Sequence, residues 1–308
     1  MSESRHDPRP VGMSEIQVVV VAAERRNSPL VLVAVLGIVL VGVLWIAALG
    51  RVLSGESVVT GTALAVGETA EEYPRPGSVS LSDIAANPLL APGAPLAAVD
   101  CALPELGTDP GELDAYYRIG IGCLDRAWEP VLTGAGLRFA SPRLNIDDQP
   151  RAKCGFTPSE DEATAFYCDR DRTIYLPRGR LLRDAGEDSA YHLAVLAHEY
   201  GHHVQALSGI LRASANREAG ADENEFLELS RRAELQANCF AGLFFAAVGG
   251  QGGVDAGLAE ESVRSFEDTS GADSHGTPAN QARWARAGFD GNSTASCDTW
   301  SVPASEVG

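Results

Sequence analysis

The sequence predicts an α+β domain carried behind one N-terminal transmembrane helix. Three observations point there: an uncharged apolar run of 21 residues at 30–50, helical apolar patterning over 112–132, 189–207 and 224–248, and two short β-branched and aromatic runs, ATAFYC (163–168) and TIYL (173–176), around a polar DRDR. A length of 308 residues allows one domain of ordinary size with appendages, or two small domains. With 45% apolar and 21% charged residues the composition is globular, which excludes wholesale disorder and a collagen-like fibre.

The N-terminal element comes first. A helix rising about 1.5 Å per residue needs about 20 residues to cross the roughly 30 Å hydrocarbon layer of a bilayer, and the run LVLVAVLGIVLVGVLWIAALG meets that length. The apolar region of a cleaved signal peptide is usually about 7–15 residues. This run is longer and follows an extended tail, so it reads as an uncleaved anchor. Arg25 and Arg26 precede it and only Arg51 follows closely, which puts residues 1–29 in the cytoplasm and the bulk of the chain outside.

Charge agrees with that division. Lysine and arginine total 24 against 42 acids, a net charge of −18. Residues 1–29 hold four arginines and four acids and the span holds none, so the whole excess sits on 51–308. An outer part this acidic repels phosphate backbones, which excludes nucleic acid as a partner. All six cysteines, Cys101, Cys123, Cys154, Cys168, Cys239 and Cys297, lie beyond the span and read as disulfides of an extracytoplasmic domain. By themselves six cysteines allow 15 pairings.

Residues 51–97, rich in Gly, Ala, Ser and Pro, read as a flexible stalk. A folded domain is expected over 98–300, followed by a short tail at 301–308. Its first helix carries Leu113, Tyr116, Tyr117, Ile121, Leu124, Trp128 and Val131 at helical spacing. The hairpin follows, then a helix over 189–207 with Asp188 or Ser189 as its N-cap. The next helix, 224–248, ends at Gly249 and Gly250. Its apolar half CFAGLFFAAV is ten residues, too short for a second span. A last helix is expected around 279–288.

Four of the six histidines fall within twelve residues, at His192, His198, His202 and His203. His198-Glu199-Tyr200-Gly201-His202 is H-E-x-x-H. A spacing of four on a helix puts His198 and His202 on one face, about 6 Å apart along the axis, so both imidazoles reach one metal ion. Glu199 leans toward the same point without being needed as a ligand, and can take a proton from attacking water and pass it to a leaving amine. A catalytic zinc takes a third protein ligand. Glu234 on the following helix is the candidate, with Arg231 or Arg232 as competing partners for its carboxylate. Asn238, four residues on, can accept a hydrogen bond from the outer nitrogen of a ligand imidazole. His203 swings about 100° off the ligand face and His192 lies too far up the helix, so both read as packed. His275, in a glycine-bearing loop, is a candidate to polarise a substrate carbonyl.

HEYGHHVQ, then ELQANCFAG, HGTPANQARW and CDTW, with KCGF and FYCDRDRTIYLP upstream, resemble the bacterial putative neutral zinc metallopeptidase family of the zincin superfamily. The resemblance covers roughly residues 100–300. It implies a zincin-like domain with a mixed small sheet and an active-site helix. It further implies one Zn²⁺ held by His198, His202 and Glu234, with Glu199 as general base. Members usually carry Asp where this chain has Asn238, which keeps an acceptor oxygen but loses the charge. The resemblance also suggests disulfides Cys154–Cys168, Cys101–Cys123 and Cys239–Cys297.

The expected function is therefore a membrane-anchored zinc metallopeptidase acting on a peptide or protein substrate outside the cytoplasm. The alternative is a zinc-binding scaffold with weak or no turnover, prompted by Asn238 and opposed by an intact Glu199. Protease added outside intact cells is expected to digest residues 51–308 and leave the N-terminal tail protected. Release of a soluble form without lysis would show cleavage in place of an anchor.

Overall fold

The computed structural model describes residues 79–93, 95–155, 157–267, 273–291 and 293–308. The expected cytoplasmic tail, transmembrane helix and most of the stalk lie outside the described residues. Among the described residues no helix is long and apolar enough to cross a membrane.

The fold is mixed α+β: eight helices and a small sheet among the described residues. After α1 (Leu81–Ala85) comes the long α2 (Pro110–Gly134). Asp109 caps α2, accepting from the Gly111 amide at 2.8 Å, while Glu112 reaches back to the Asp109 amide and Pro110 supplies a pre-set first turn. The apolar stripe read from the sequence is its buried face, with Val131 half-buried at its end, and Trp128 meets Phe240 edge-on at 5.1 Å.

Strands β1 (Arg143–Asn145), β2 (Phe166–Cys168) and β3 (Thr173–Tyr175) form a sheet in the order β1-β3-β2. The hairpin is present as β2 and β3, paired antiparallel with Tyr167 opposite Ile174 and a turn through Arg172 at φ 51°. β1 runs parallel to β3, which makes the sheet mixed. A three-residue strand has too little alternation to show in a sequence.

Next come α3 (Arg178–Ala185), α4 (Ser189–Ser208), α5 (Ile210–Glu218), α6 (Glu223–Val248), α7 (Ala256–Arg264) and α8 (Pro278–Asp290). Asp188 caps α4 by accepting from the Ala190 and Tyr191 amides, and Gly209, at φ 80°, ends it. The apolar half of α6 is buried except at Ala246, as its length suggested.

Two boundaries differ from expectation. Residues 79–93 and 95–97 are part of the domain: Ile84, Leu89, Leu90 and Leu96 are buried, and Asn87 donates to the Ser208 carbonyl at 2.9 Å. A five-residue helix and one 3₁₀ turn carry no readable period, so the prolines and small residues dominated the sequence signal. The last residues, though mostly exposed, are tied to the domain as well. Arg232, 2% exposed within α6, donates to the carbonyls of Thr299 and Val302, and Val307 is fully buried.

Three disulfides are present: Cys101–Cys123, Cys154–Cys168 and Cys239–Cys297. The last ties α6 to the 3₁₀ turn Thr294–Cys297. Cross-linking residues 58 apart limits the unfolded chain by about 4 kcal/mol at 25 °C in the chain-entropy model. Replacing Cys239 and Cys297 together by alanine is expected to lower unfolding stability by up to that amount, read from denaturant titrations of both forms. A loss below about 1 kcal/mol would show that this link constrains little.

Candidate metal centre

The site is built where α4 crosses α6. At Gly201 an added Cβ would lie 2.9 Å from the Cα and the carbonyl oxygen of Ala237, closer than packed atoms allow. Only glycine lets the two backbones approach this far. That approach sets His198 and His202 of α4 against Glu234 of α6. The two imidazole Nε2 atoms are 3.2 Å apart, and Glu234 Oε2 lies 3.1 Å from His198 Nε2 and 3.2 Å from His202 Nε2. The competing partners are occupied elsewhere: Arg232 pairs with Glu228 at 2.7 Å, and Arg231 donates to the Asp273 carbonyl at 2.9 Å.

The residues fit a metal. These three are the one group of potential ligands brought together among the described residues, with ligand atoms within 4.8 Å of one another. Ligands about 2.0–2.1 Å from a tetrahedral zinc sit about 3.4 Å from each other, close to the triangle seen here. The hydrogen bonds point the same way. His198 Nδ1–H donates to Asn238 Oδ1 at 2.7 Å and His202 Nδ1–H to Gln205 Oε1 at 2.9 Å. Each Nε2 of a neutral ring would then be a lone pair facing a carboxylate, and without a metal a proton on Nε2 bridges ring and carboxylate. Such a cluster of acceptors calls for a cation between them.

The other two histidines of α4 are wired the opposite way. His203 Nε2–H donates to the Ala140 carbonyl at 2.6 Å and its Nδ1 accepts from Tyr167 Oη at 3.0 Å. His192 Nε2–H donates to the Gly186 carbonyl and its Nδ1 accepts from Tyr117 Oη at 2.5 Å. Both nitrogens of each ring are committed, and burial pushes both rings below their ordinary pKa, His203 to about 4. They brace the helix and have no lone pair for a metal.

Glu199 is buried, and its Oε2 has no hydrogen-bond partner among the described residues. Burial pushes its pKa up, against the pull of His198 and His202, and the Glu234 charge adds to the rise. Glu234 goes the other way. Burial alone would raise it, but His202, His275 and the hydrogen bonds from the two facing rings hold it well below the usual carboxylate range. The His275 side chain is 39% exposed, with its Nε2 3.5 Å from Glu234 Oε2 and its Nδ1 3.0 Å from Ser274 Oγ. Its loop is fixed by Arg231 on the Asp273 carbonyl and by Gln281 donating to the Gly276 carbonyl at 3.1 Å.

Two polar residues at the site escaped the sequence reading. Gln205, three residues after His202 on the same face, meets that ring, and Gln236 on α6 meets Gln205. The available signal was a glutamine three residues beyond the second histidine of H-E-x-x-H, and another two residues after Glu234.

Residues 107–300 match the family described as putative neutral zinc metallopeptidase. The chain belongs to this family. YpfJ of Escherichia coli strain K12, an uncharacterized protein, is 30% identical over 212 residues, which covers 61% of this chain and 72% of its own length. The uncharacterized protein Rv2575 of Mycobacterium tuberculosis strain H37Rv is 29% identical over 209 residues, 58% of this chain and 68% of its own. No solved structure matches the chain significantly.

In the metal-free protein, burial opposes a charge on His202, yet Glu234 raises its pKa from 6.5 to about 9. The resulting pair stabilises the fold fully below pH 6.5, the ordinary histidine value, and that contribution is lost as pH rises through about 9. The lowered Glu234 contributes above its ordinary 4.5 and loses that contribution as pH falls toward its lower folded value. A metal must displace the His202 proton. Zinc uptake at pH 7 is therefore expected to release about one proton, measured as the dependence of titration heat on the buffer's ionisation enthalpy. His198→Ala and His202→Ala are expected to abolish zinc binding, and Glu234→Ala to weaken it severely. Unchanged occupancy of Glu234→Ala at limiting zinc would assign the third ligand to another acid.

Proposed function

We propose that the chain is a zinc-dependent metallopeptidase, anchored by residues 30–50 with residues 51–308 outside the cytoplasm. His198, His202 and Glu234 would hold the ion. The observation that carries the reading is Glu199: a buried carboxylate with an unbonded oxygen, next to a His-His-Glu set in a chain of a zinc metallopeptidase family. A purely structural zinc site has no use for such a group. Bound zinc supplies Lewis-acid polarisation and lowers the pKa of water.

Glu199 then takes a proton from the attacking water as its oxygen bonds to the peptide carbonyl carbon. The raised pKa of Glu199 favours holding that proton until the leaving nitrogen receives it as the C–N bond breaks. His275 can donate from Nε2 to the carbonyl oxygen as charge develops there. An extended substrate can add a strand at the outer edge of β2, which packs on α4 through Tyr167 and His203. Main-chain bonds of that kind give affinity with little dependence on sequence. This arrangement, an active-site helix beside a small mixed sheet, supports a zincin-like domain. Three disulfides support an extracytoplasmic position.

The alternative scaffold role rests on Asn238, which gives His198 an uncharged acceptor. Glu199→Gln is expected to keep zinc and fold while peptide cleavage falls by at least about 10²–10⁴-fold. Asn238→Asp is expected to raise zinc affinity or rate, because an anionic acceptor makes the His198 ring more basic. Digestion of a mixed-peptide set, read by mass spectrometry, checks both. No cleavage by the wild type or by Asn238→Asp at full zinc occupancy would favour the scaffold. Cleavage unchanged in Glu199→Gln would move the chemistry elsewhere.

A further inference from the structure

We propose that Gln205 and Gln236 form a directional amide relay that fixes the tautomer and orientation of His202, so that the backbone at Cys297 positions a metal ligand. This rests on the zinc reading above and extends it to residues outside the ligand set. Both glutamines are fully buried. A buried carboxamide is costly unless each of its groups is bonded, and apolar side chains of similar size would fill the same space without that demand.

Each orientation in the relay follows from a group that can act only one way. The Cys297 carbonyl can only accept, so Gln236 presents its NH₂ there, at 3.0 Å, and turns Oε1 toward Gln205. The Ala233 carbonyl can only accept too. Gln205 Nε2 donates to it at 2.8 Å and to Gln236 Oε1 at 3.0 Å, which uses both of its hydrogens. Gln205 Oε1 is therefore the atom 2.9 Å from His202 Nδ1, and that nitrogen must carry the hydrogen. The lone pair of the neutral ring is left on Nε2, facing Glu234 and His198.

Reversing any member would set oxygen against oxygen, at the Ala233 and Cys297 carbonyls or between the two amides. His198, by contrast, rests on the single carboxamide of Asn238. The relay's far end is itself held in place. Cys297 is disulfide-bonded to Cys239, one turn beyond Gln236 on the same helix. Gln205 and Gln236 are positioning residues: they touch neither metal nor substrate and act through His202.

The test uses the full-length chain and two readouts apart from activity. Zinc affinity is measured by competition with a chelator. The His202 Nδ1–H proton is followed in ¹⁵N-histidine-labelled, zinc-loaded protein, with the His203 Nε2–H bonded to Ala140 as the internal measure of an intact α4. Gln205→Met is expected to weaken zinc binding about 10–100-fold and to expose the His202 proton to rapid solvent exchange, with the His203 signal unchanged. Gln236→Met, which leaves Ala233 to hold Gln205, is expected to weaken zinc binding by a smaller factor, and it decides the matter if Gln205→Met does not fold. Wild-type affinity and a still-protected His202 proton in Gln205→Met, or in Gln236→Met if only that variant folds, overturn the relay and leave the zinc reading standing. A wild-type chain that takes up no zinc overturns both.

Discussion

The close crossing of α4 and α6 is the constraint on which the rest of the site depends. Gly201 sits inside the H-E-x-x-H segment, and Ala237 sits between Glu234 and Asn238, so the contact point lies within the set of residues it must unite. A side chain at 201 would push the helices apart and open the triangle of His198, His202 and Glu234. Everything else reinforces this contact. Trp128 of α2 packs on Phe240 of α6, while Tyr200 on α4 donates to Asp125 of α2 at 2.6 Å. α2 is thus fastened to both members of the crossing.

Polar wiring sorts the four clustered histidines into two kinds, although they share one helix and one residue type. His192 and His203 meet a carbonyl on one nitrogen and a tyrosine hydroxyl on the other. His198 and His202 meet an amide oxygen on Nδ1 and one another on Nε2. What separates a brace from a candidate ligand is which nitrogen is left without a donor. That depends on neighbours from α2, the hairpin and α6, together with Gly186 and Gln205 close by in the chain. The short loop before β1 is part of the same wiring, since its Ala140 carbonyl holds His203.

Much of the centre was legible because its chemistry is local. His198 and His202 share a helical face by spacing alone, and Glu199 follows from the same motif. The long helices were legible from their apolar stripes, and the hairpin from its β-branched runs around DRDR. Glu234 was readable only as a carboxylate on the next helix, because the pairing depends on a crossing angle that no local pattern records. β1, α3, α5 and α7 are short, and their burial is decided by what they pack on. The 79–97 segment was misread because Ile84, Leu89, Leu90 and Leu96 are separated by prolines and small residues. Gln205 and Gln236 are uninformative as isolated letters; their role appears only when two helices and a 3₁₀ turn bring four hydrogen-bonding groups into line.

Two buried carboxylates beside the same pair of imidazoles are pushed in opposite directions, and the difference lies in who bonds them. Glu234 faces both Nε2 atoms with His275 behind it, and these contacts overcome the cost of burying its charge. Glu199 is also buried and feels the same histidines, but Oε2 receives no bond among the described residues and the charge on Glu234 opposes its own. One group is therefore held ionised and the other is driven toward taking a proton. Environments that push two neighbouring carboxyl groups apart in this way commonly divide the work of a hydrolytic site between them. Here the division matches geometry: the group held ionised completes the triangle with His198 and His202, and the group pushed toward a proton adjoins it with one oxygen unbonded among the described residues. Hydrogen bonding and burial thus support the proposed division between Glu234 and Glu199, of which the motif supplies only Glu199.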